Sequence, residues 1–206
     1  MNNREFKKEQ GERSILQSFR PHTDYSRWSI EKKIRPDFII TGPNNEKIGI
    51  EVTRLTTETA QVIHEIMREH SGKVTDPTTL KQAAIARHGR KAENYKYLMI
   101  SGKPAIMPLC SNLTLQKELY ATAIIKKYEK YKGIIDQFSK FIILCDAREC
   151  FEMTSERDCD YLVNILKSFG FSKSFRVAII YKCNDDGVGV VCCEEVEINA
   201  INHDER

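Results

Sequence analysis

The hydrophobic positions of the chain change period several times, and each change marks an element. Residues Arg4 to Phe19 contain no proline, are dense in charge, and bring Ile15, Leu16 and Phe19 to one side of a helix that Pro21 ends. From Tyr25 to Ile34 the apolar residues Trp28, Ile30 and Ile34 alternate loosely, which predicts a strand. Two short apolar runs follow, Phe38 to Thr41 and Lys47 to Val52. They are separated by Gly42, Pro43, Asn44 and Asn45, the composition of a β-hairpin. With a three-residue loop from Pro43 to Asn45, Gly42 pairs with Glu46, and counting back in step sets Asp37 opposite Glu51.

After Leu55, Thr57 or Thr59 is placed to cap a helix running to about His70. The stretch from about residue 56 to 111 reads as a helical insertion, with Gly102, Lys103, Pro104 and Pro108 marking its irregular end. Asn112 to Gly133 is the longest helical pattern. Its apolar arc, from Leu113 through Tyr120 and Ile124 to Tyr131, has two polar residues in its middle, Gln116 and Lys127. Lys140 to Cys145 predicts a buried strand, and Ser155 to Phe169 a helix capped by Ser155 and ended by Gly170. Strands follow at Arg176 to Tyr181 and Val188 to Ile198. This order predicts a single three-layer α/β domain, a central mixed sheet flanked by helices.

Composition narrows the partners. A chain of 206 residues suffices for one buried core, and 41% hydrophobic with 30% charged residues is globular usage. The net charge of +3 does not mark the whole chain as a nucleic-acid binder, so any such contact must come from local clusters. Two exist: Lys32, Lys33 and Arg35 before the hairpin, and Leu80 to Tyr97, where Arg87, Arg90 and Lys91 precede Tyr95 and Tyr97. The first also reads as an ordinary solvated face. With no run of eighteen apolar residues and no apolar segment near the start, a membrane span and a signal peptide are not expected, and the expected location is cytoplasmic. The seven cysteines are odd in number and lack a CxxC pair, which fits reduced thiols; His64 and His70 do not share a helix face, which argues against zinc.

The candidate chemistry lies in the hairpin. On its second strand, period two sends Ile48, Ile50 and Val52 one way and Gly49, Glu51 and Thr53 the other. Asp37 and Glu51 side by side, with Gly49 leaving room, suit a hard cation such as Mg²⁺. A half-exposed hairpin with an acidic outer face has the same spacing. Glu12 falls in the apolar arc of the first helix, where a salt bridge to Arg35 or a snorkelling carboxylate accounts for it structurally. Lys127 in a buried arc calls for a carboxylate partner or a chemical task; otherwise it lies over apolar surface with its head in water.

Asp37, thirteen intervening residues and then Glu51-Val52-Thr53, preceded by Pro36 and set in IGIEVT, resembles the PD-(D/E)xK nuclease superfamily with its restriction-endonuclease-like fold. The resemblance covers about two-thirds of the chain at the level of element order. Gln116 and Tyr120 match the QxxxY pattern of RecB-type members. AIIKKYEKY leading to FSKFIILCD, with Ile124, Lys127, Lys130 and Tyr131, resembles the helix-then-strand segment of variants that carry EVT in place of ExK. Thr53 stands where the usual pattern has lysine.

The resemblance implies a Mg²⁺- or Mn²⁺-dependent nuclease acting on phosphodiester bonds of DNA. Asp37, Glu51 and the Val52 carbonyl would hold the metal, with Glu12 assisting and Gln116 nearby. Lys127, or Lys130 in second place, would supply the migrated lysine. Lys33, Arg35, Arg87, Arg90 and Lys91 would contact the nucleic-acid backbone. A homodimer would suit cutting of both strands, although no residue argues for one. The alternative is a nuclease-like fold without catalysis, working as a nucleic-acid-binding or protein-interaction module. Thr53 favours that alternative; the paired acids oppose it.

Overall fold

In the computed structural model, residues 3–56, 58–70, 72–93, 95–108, 113–150, 153–185 and 188–200 are described. The chain divides into two compact units, one of Met1–Leu55 with Lys117–Arg206 and one of Thr56–Gln116.

The first unit begins with α1 (Asn3–Phe19), β1 (Ser29–Lys32), β2 (Phe38–Thr41) and β3 (Lys47–Arg54). The second unit contains α2 (Glu58–His70), α3 (Pro77–His88), the single turn α4 (Arg90–Glu93), β4 (Tyr95–Ile100) and β5 (Lys103–Pro108). The chain then runs through α5 (Leu113–Tyr131), β6 (Lys140–Asp146), α6 (Glu156–Lys167), β7 (Phe175–Asp185) and β8 (Val188–Ile198).

Six strands form one mixed sheet in the order β1-β2-β3-β6-β7-β8. β3, β6 and β7 run parallel and the outer pairs are antiparallel. Parallel central strands must be covered on both faces, which is why FIILC in β6 and VAII in β7 are apolar throughout. One face packs Phe38, Ile40, Ile48, Ile50 and Val52 against Ile15, Leu16 and Phe19 of α1. The other packs Phe141, Ile143, Val177 and Ile179 against Tyr120, Ile124, Tyr128 and Tyr131 of α5 and Leu162, Val163 and Leu166 of α6. Helices therefore lie on both faces of a mixed sheet, the α/β arrangement expected from the order of elements. Among the described residues no helix is long and apolar enough to cross a membrane.

Local chemistry fixes most boundaries. The β2–β3 loop closes with Gly42 N–H donating to the Glu46 carbonyl at 2.9 Å, and Asn45 takes the left-handed conformation at φ 58°. Ser155 caps α6 in a capping box with Asp158. Asp76 caps α3 by accepting from Thr79 N–H at 2.8 Å, with Pro77 in the first turn.

The insertion differs from the helical expectation. After three helical segments it ends in the antiparallel hairpin β4–β5, whose own core gathers Ile63, Ile66, Leu80, Ala84, Tyr95 and Ile106. Pro104 and Pro108 argue against a strand inside a sheet, but in a two-stranded ribbon both strands are edges that tolerate them. Ser101 and Gly102 both have positive φ, the signature of a two-residue hairpin turn. The strand expected over Tyr25 to Ile34 is confined to Ser29–Lys32; Ile34 is exposed. Six cysteines among the described residues are free thiols.

Candidate active site

The site forms because β3 is twice as long as β2. Pairing between them runs only from Thr41↔Lys47 to Phe38↔Ile50, so the β2-facing edge of β3 is open from Glu51 onward. One step farther in the same register sets Asp37 opposite Glu51. At this open edge side chains take over the strand's hydrogen bonds. Val52 N–H donates to Asp37 Oδ2 at 2.9 Å, and the Val52 carbonyl accepts from Lys127 Nζ at 3.4 Å.

Lys127 comes from α5 on one side of the sheet and also donates to Glu51 Oε1 at 2.5 Å. The lysine in the apolar arc thus has a carboxylate partner. It lines the same cavity as Thr53. Glu51 is 2% exposed, and its Oε2 accepts no hydrogen bond. The phenol of Tyr131 faces this carboxylate. Burial first, then a hydrogen bond to Glu51, then the charges of Glu51 and Asp37 raise the Tyr131 phenol well above its ordinary value, and Arg35 works against them. Both acids therefore act on one buried neighbour.

On the α1 side, Lys32 Nζ donates to Glu12 Oε2 at 2.7 Å and to Asp37 Oδ1 at 3.3 Å, while lying 4.6 Å from the Phe38 ring centroid. Burial pulls the Lys32 ammonium down, but the hydrogen bond to Glu12 and the charges of Asp37 and Glu12 outweigh it and hold it above its usual value. Glu12 also meets Lys8 at 3.5 Å. Its acid at the core is thus explained by lysines of α1 and β1; the salt bridge to Arg35 is not made.

The other candidates are placed as follows. Lys130 is exposed, its ammonium 4.7 Å from the centroid of the Tyr131 ring. The side chain of Gln116 lies outside the described residues. Lys33 pairs with Glu31, and Arg35 is exposed. In the second unit, Arg87 pairs with Glu69 at 2.7 Å, and Arg90 and Lys91 are exposed on α4. That unit holds eight basic and five acidic side chains, an excess equal to the net charge of the whole chain, so its basic character is local. Asp146 is held by Arg148 at 2.7 Å, and Arg148 reaches Ser18 of α1, a structural bracket at the end of β6.

Lys32 and Tyr131 contribute to this centre, although the sequence reading placed Lys32 only in a basic cluster and Tyr131 only on the α5 apolar arc and in the segment of the resemblance. Tyr131 had a usable signal, one turn beyond Lys127 on the same apolar arc. Lys32 had only its place opposite Phe38, next to Asp37.

Chemically, the open edge offers an orphaned carboxylate oxygen, a second carboxylate and a main-chain carbonyl. This all-oxygen set fits a hard divalent cation, and two carboxylates completed by water suit Mg²⁺. Among the described residues no three His, Cys, Asp or Glu side chains gather for a metal. The fit is of the two-carboxylate kind, with Glu12 joined to Asp37 through Lys32. Comparison with protein families, curated proteins and solved structures finds no match.

Proposed function

We propose that this chain is a metal-dependent nuclease of the PD-(D/E)xK type, with a restriction-endonuclease-like fold, hydrolysing phosphodiester bonds in DNA. The observation that carries the reading is the meeting of Lys127 with Glu51 and the Val52 carbonyl at the open edge of β3, where Asp37 is in register. A lysine reaching that edge from a later helix supplies the charge that Thr53 lacks.

Asp37, Glu51 and the Val52 carbonyl would hold Mg²⁺ or Mn²⁺. When bound, the ion supplies positive charge to the phosphate and acidity to water. The protein does the positioning. Val52 N–H and the Lys32 ammonium fix the Asp37 carboxylate, leaving few rotamers open to it. The Lys127 ammonium neutralises negative charge developing on the phosphate oxygens and orients the attacking water. The Thr53 hydroxyl hydrogen-bonds water without ionising at neutral pH. Arg35, Lys33 and the basic residues of the second unit contact the backbone and carry no sequence information.

A second reading, a nuclease-like module that binds without cutting, is favoured by Thr53 and by the ammonium groups already set against both acids. Plasmid and single-stranded DNA incubated with Mg²⁺ or Mn²⁺ separate the two. The enzyme reading expects metal-dependent cutting that Asp37→Ala and Lys127→Met abolish. DNA binding without cutting by the native chain establishes the module instead.

A further inference from the structure

The cavity at the end of β3 carries more positive charge than the neighbouring acids use. It has a volume of about 460 Å³, within the range of small-ligand sites. Four cations line it: Lys7, Lys8, Arg54 and Lys127. Lys127 is matched by Glu51 and Lys8 by Glu12. Among the described residues the exposed Lys7 and Arg54 make no ion pair or side-chain hydrogen bond, and the Thr53 hydroxyl, which lines the same cavity, makes none either.

Arg54 also has a place prepared for it. Its guanidinium lies against Gly11, inside α1, where a Cβ would stand 2.7 Å from Arg54 Nη2. Glycine in a helix interior weakens the helix relative to alanine. Here its bare surface leaves room for the end of the guanidinium.

We propose that this cavity is a phosphomonoester pocket that receives the terminal phosphate of a nucleic-acid strand. The inference rests on the nuclease reading for its substrate and deepens it. Two uncompensated cations match a phosphomonoester, which carries close to two negative charges at neutral pH, better than the single charge of an internal diester. The guanidinium offers paired donors to phosphate oxygens, Lys7 adds a point charge, and Thr53 adds a hydroxyl. The pocket shares Glu12, Val52 and Lys127 with the proposed centre, so a strand end held here is held beside it. On linear DNA, cutting then favours positions beside a phosphorylated strand end.

Fluorescence anisotropy of labelled single-stranded oligonucleotides, in chelator so that nothing is cut, tests this on the full chain. The strands carry a phosphate at the 5′ end, at the 3′ end, or at neither. One phosphorylated strand is expected to bind about tenfold more tightly than the hydroxyl strand, as a few charge-assisted hydrogen bonds require. The preference should fall below about twofold in Arg54→Gln and in Gly11→Ala, whose added Cβ displaces the guanidinium. Gly11→Ala should melt at or above the native temperature, which excludes unfolding as the cause. Inorganic phosphate should compete with the preferred strand.

Equal affinity for all three strands, or an end preference surviving in both variants, overturns the pocket. Competition by inorganic phosphate without any end preference overturns its assignment to a strand end. The readout needs no cutting. Loss of the nuclease reading with the end preference intact leaves a phosphate-end binding module, and cutting without end preference leaves the nuclease and removes the pocket.

Discussion

Replacing Lys127 with methionine removes the ammonium that Glu51 meets inside the protein while keeping most of the apolar stem. Glu51 is 2% exposed with Oε2 already unsatisfied, so the variant leaves a buried carboxylate without its counter-charge. Removing one member of a buried pair costs roughly 3–5 kcal/mol. The Lys127 side chain is 28% exposed, so solvent screens part of the interaction and brings the cost to the bottom of that range or just below it. The expected loss is about 2–3 kcal/mol. In a chain of this size each kcal/mol moves the melting temperature by roughly 2–4 °C, which predicts a fall of roughly 4–12 °C. A double-mutant cycle isolates the pair. Glu51→Gln alone removes the charge that needs a partner, and with it present the further cost of Lys127→Met should shrink to under about 1 kcal/mol. Denaturant melts of the native chain, both single variants and the double variant give the four corners. A coupling energy below about 0.5 kcal/mol would mean the contact does not hold Glu51 in solution and would remove Lys127 from its proposed role.

Three further perturbations address other parts of the molecule. Lys32→Met leaves Glu12 and Asp37 facing each other without the bridging ammonium, so millimolar Mg²⁺ should raise its melting temperature by several degrees more than that of the native chain; an equal response would show that no divalent ion gains access there. Gly102 has φ 73° with open space around its Cα, so Gly102→Ala should cost about 1 kcal/mol through backbone alone, read as faster amide exchange in β4 and β5; unchanged exchange refutes the turn geometry. Burial raises the Asp158 carboxyl, but hydrogen bonds from Lys117, Ser155 and Thr154 outweigh it and hold it below the ordinary value of 3.8. That stabilisation is complete above the ordinary value and is lost as pH falls through the lower folded one. Lys117→Met should therefore be about 1–3 kcal/mol less stable at neutral pH, with the gap closing below the ordinary aspartate value; a gap independent of pH contradicts the assignment.

What the sequence revealed and what it concealed follow from how local the determining physics is. The β2–β3 register was legible because a loop of glycine, proline and two asparagines admits few connections, and one residue of slip would have moved Ile48, Ile50 and Val52 out of the core. Lys127 was legible because an ammonium inside an apolar helix face requires a carboxylate, whichever strand provides it. The β4–β5 hairpin was hidden by its prolines, which exclude a central strand and not an edge. Lys32 was hidden because its partner Glu12 lies twenty residues away on another element, and a lysine doublet at a strand end looks the same solvated or paired.

Gly11 and Arg54 could not be read in advance for the same physical reason. A single glycine in a helical pattern costs little enough to pass without comment, and an arginine closing a strand is ordinary. Only their superposition gives either a reason: the missing Cβ and the unpaired guanidinium occupy one space, at the end of the strand that carries Glu51. On the opposite side of β3 the pattern recurs with a different outcome, because there Gly49 faces Phe138 and Phe141, where a Cβ would lie 3.0 Å from each ring. One glycine of the pair admits aromatic packing beneath Glu51 and the other admits a charge beside it. Gly49→Ala should therefore lower stability through crowding, whereas Gly11→Ala should not, and melting both variants side by side distinguishes a glycine kept for the core from one kept for the cavity. Equal destabilisation by the two substitutions would place Gly11 in the packing of the fold and leave Arg54 as an ordinary surface residue.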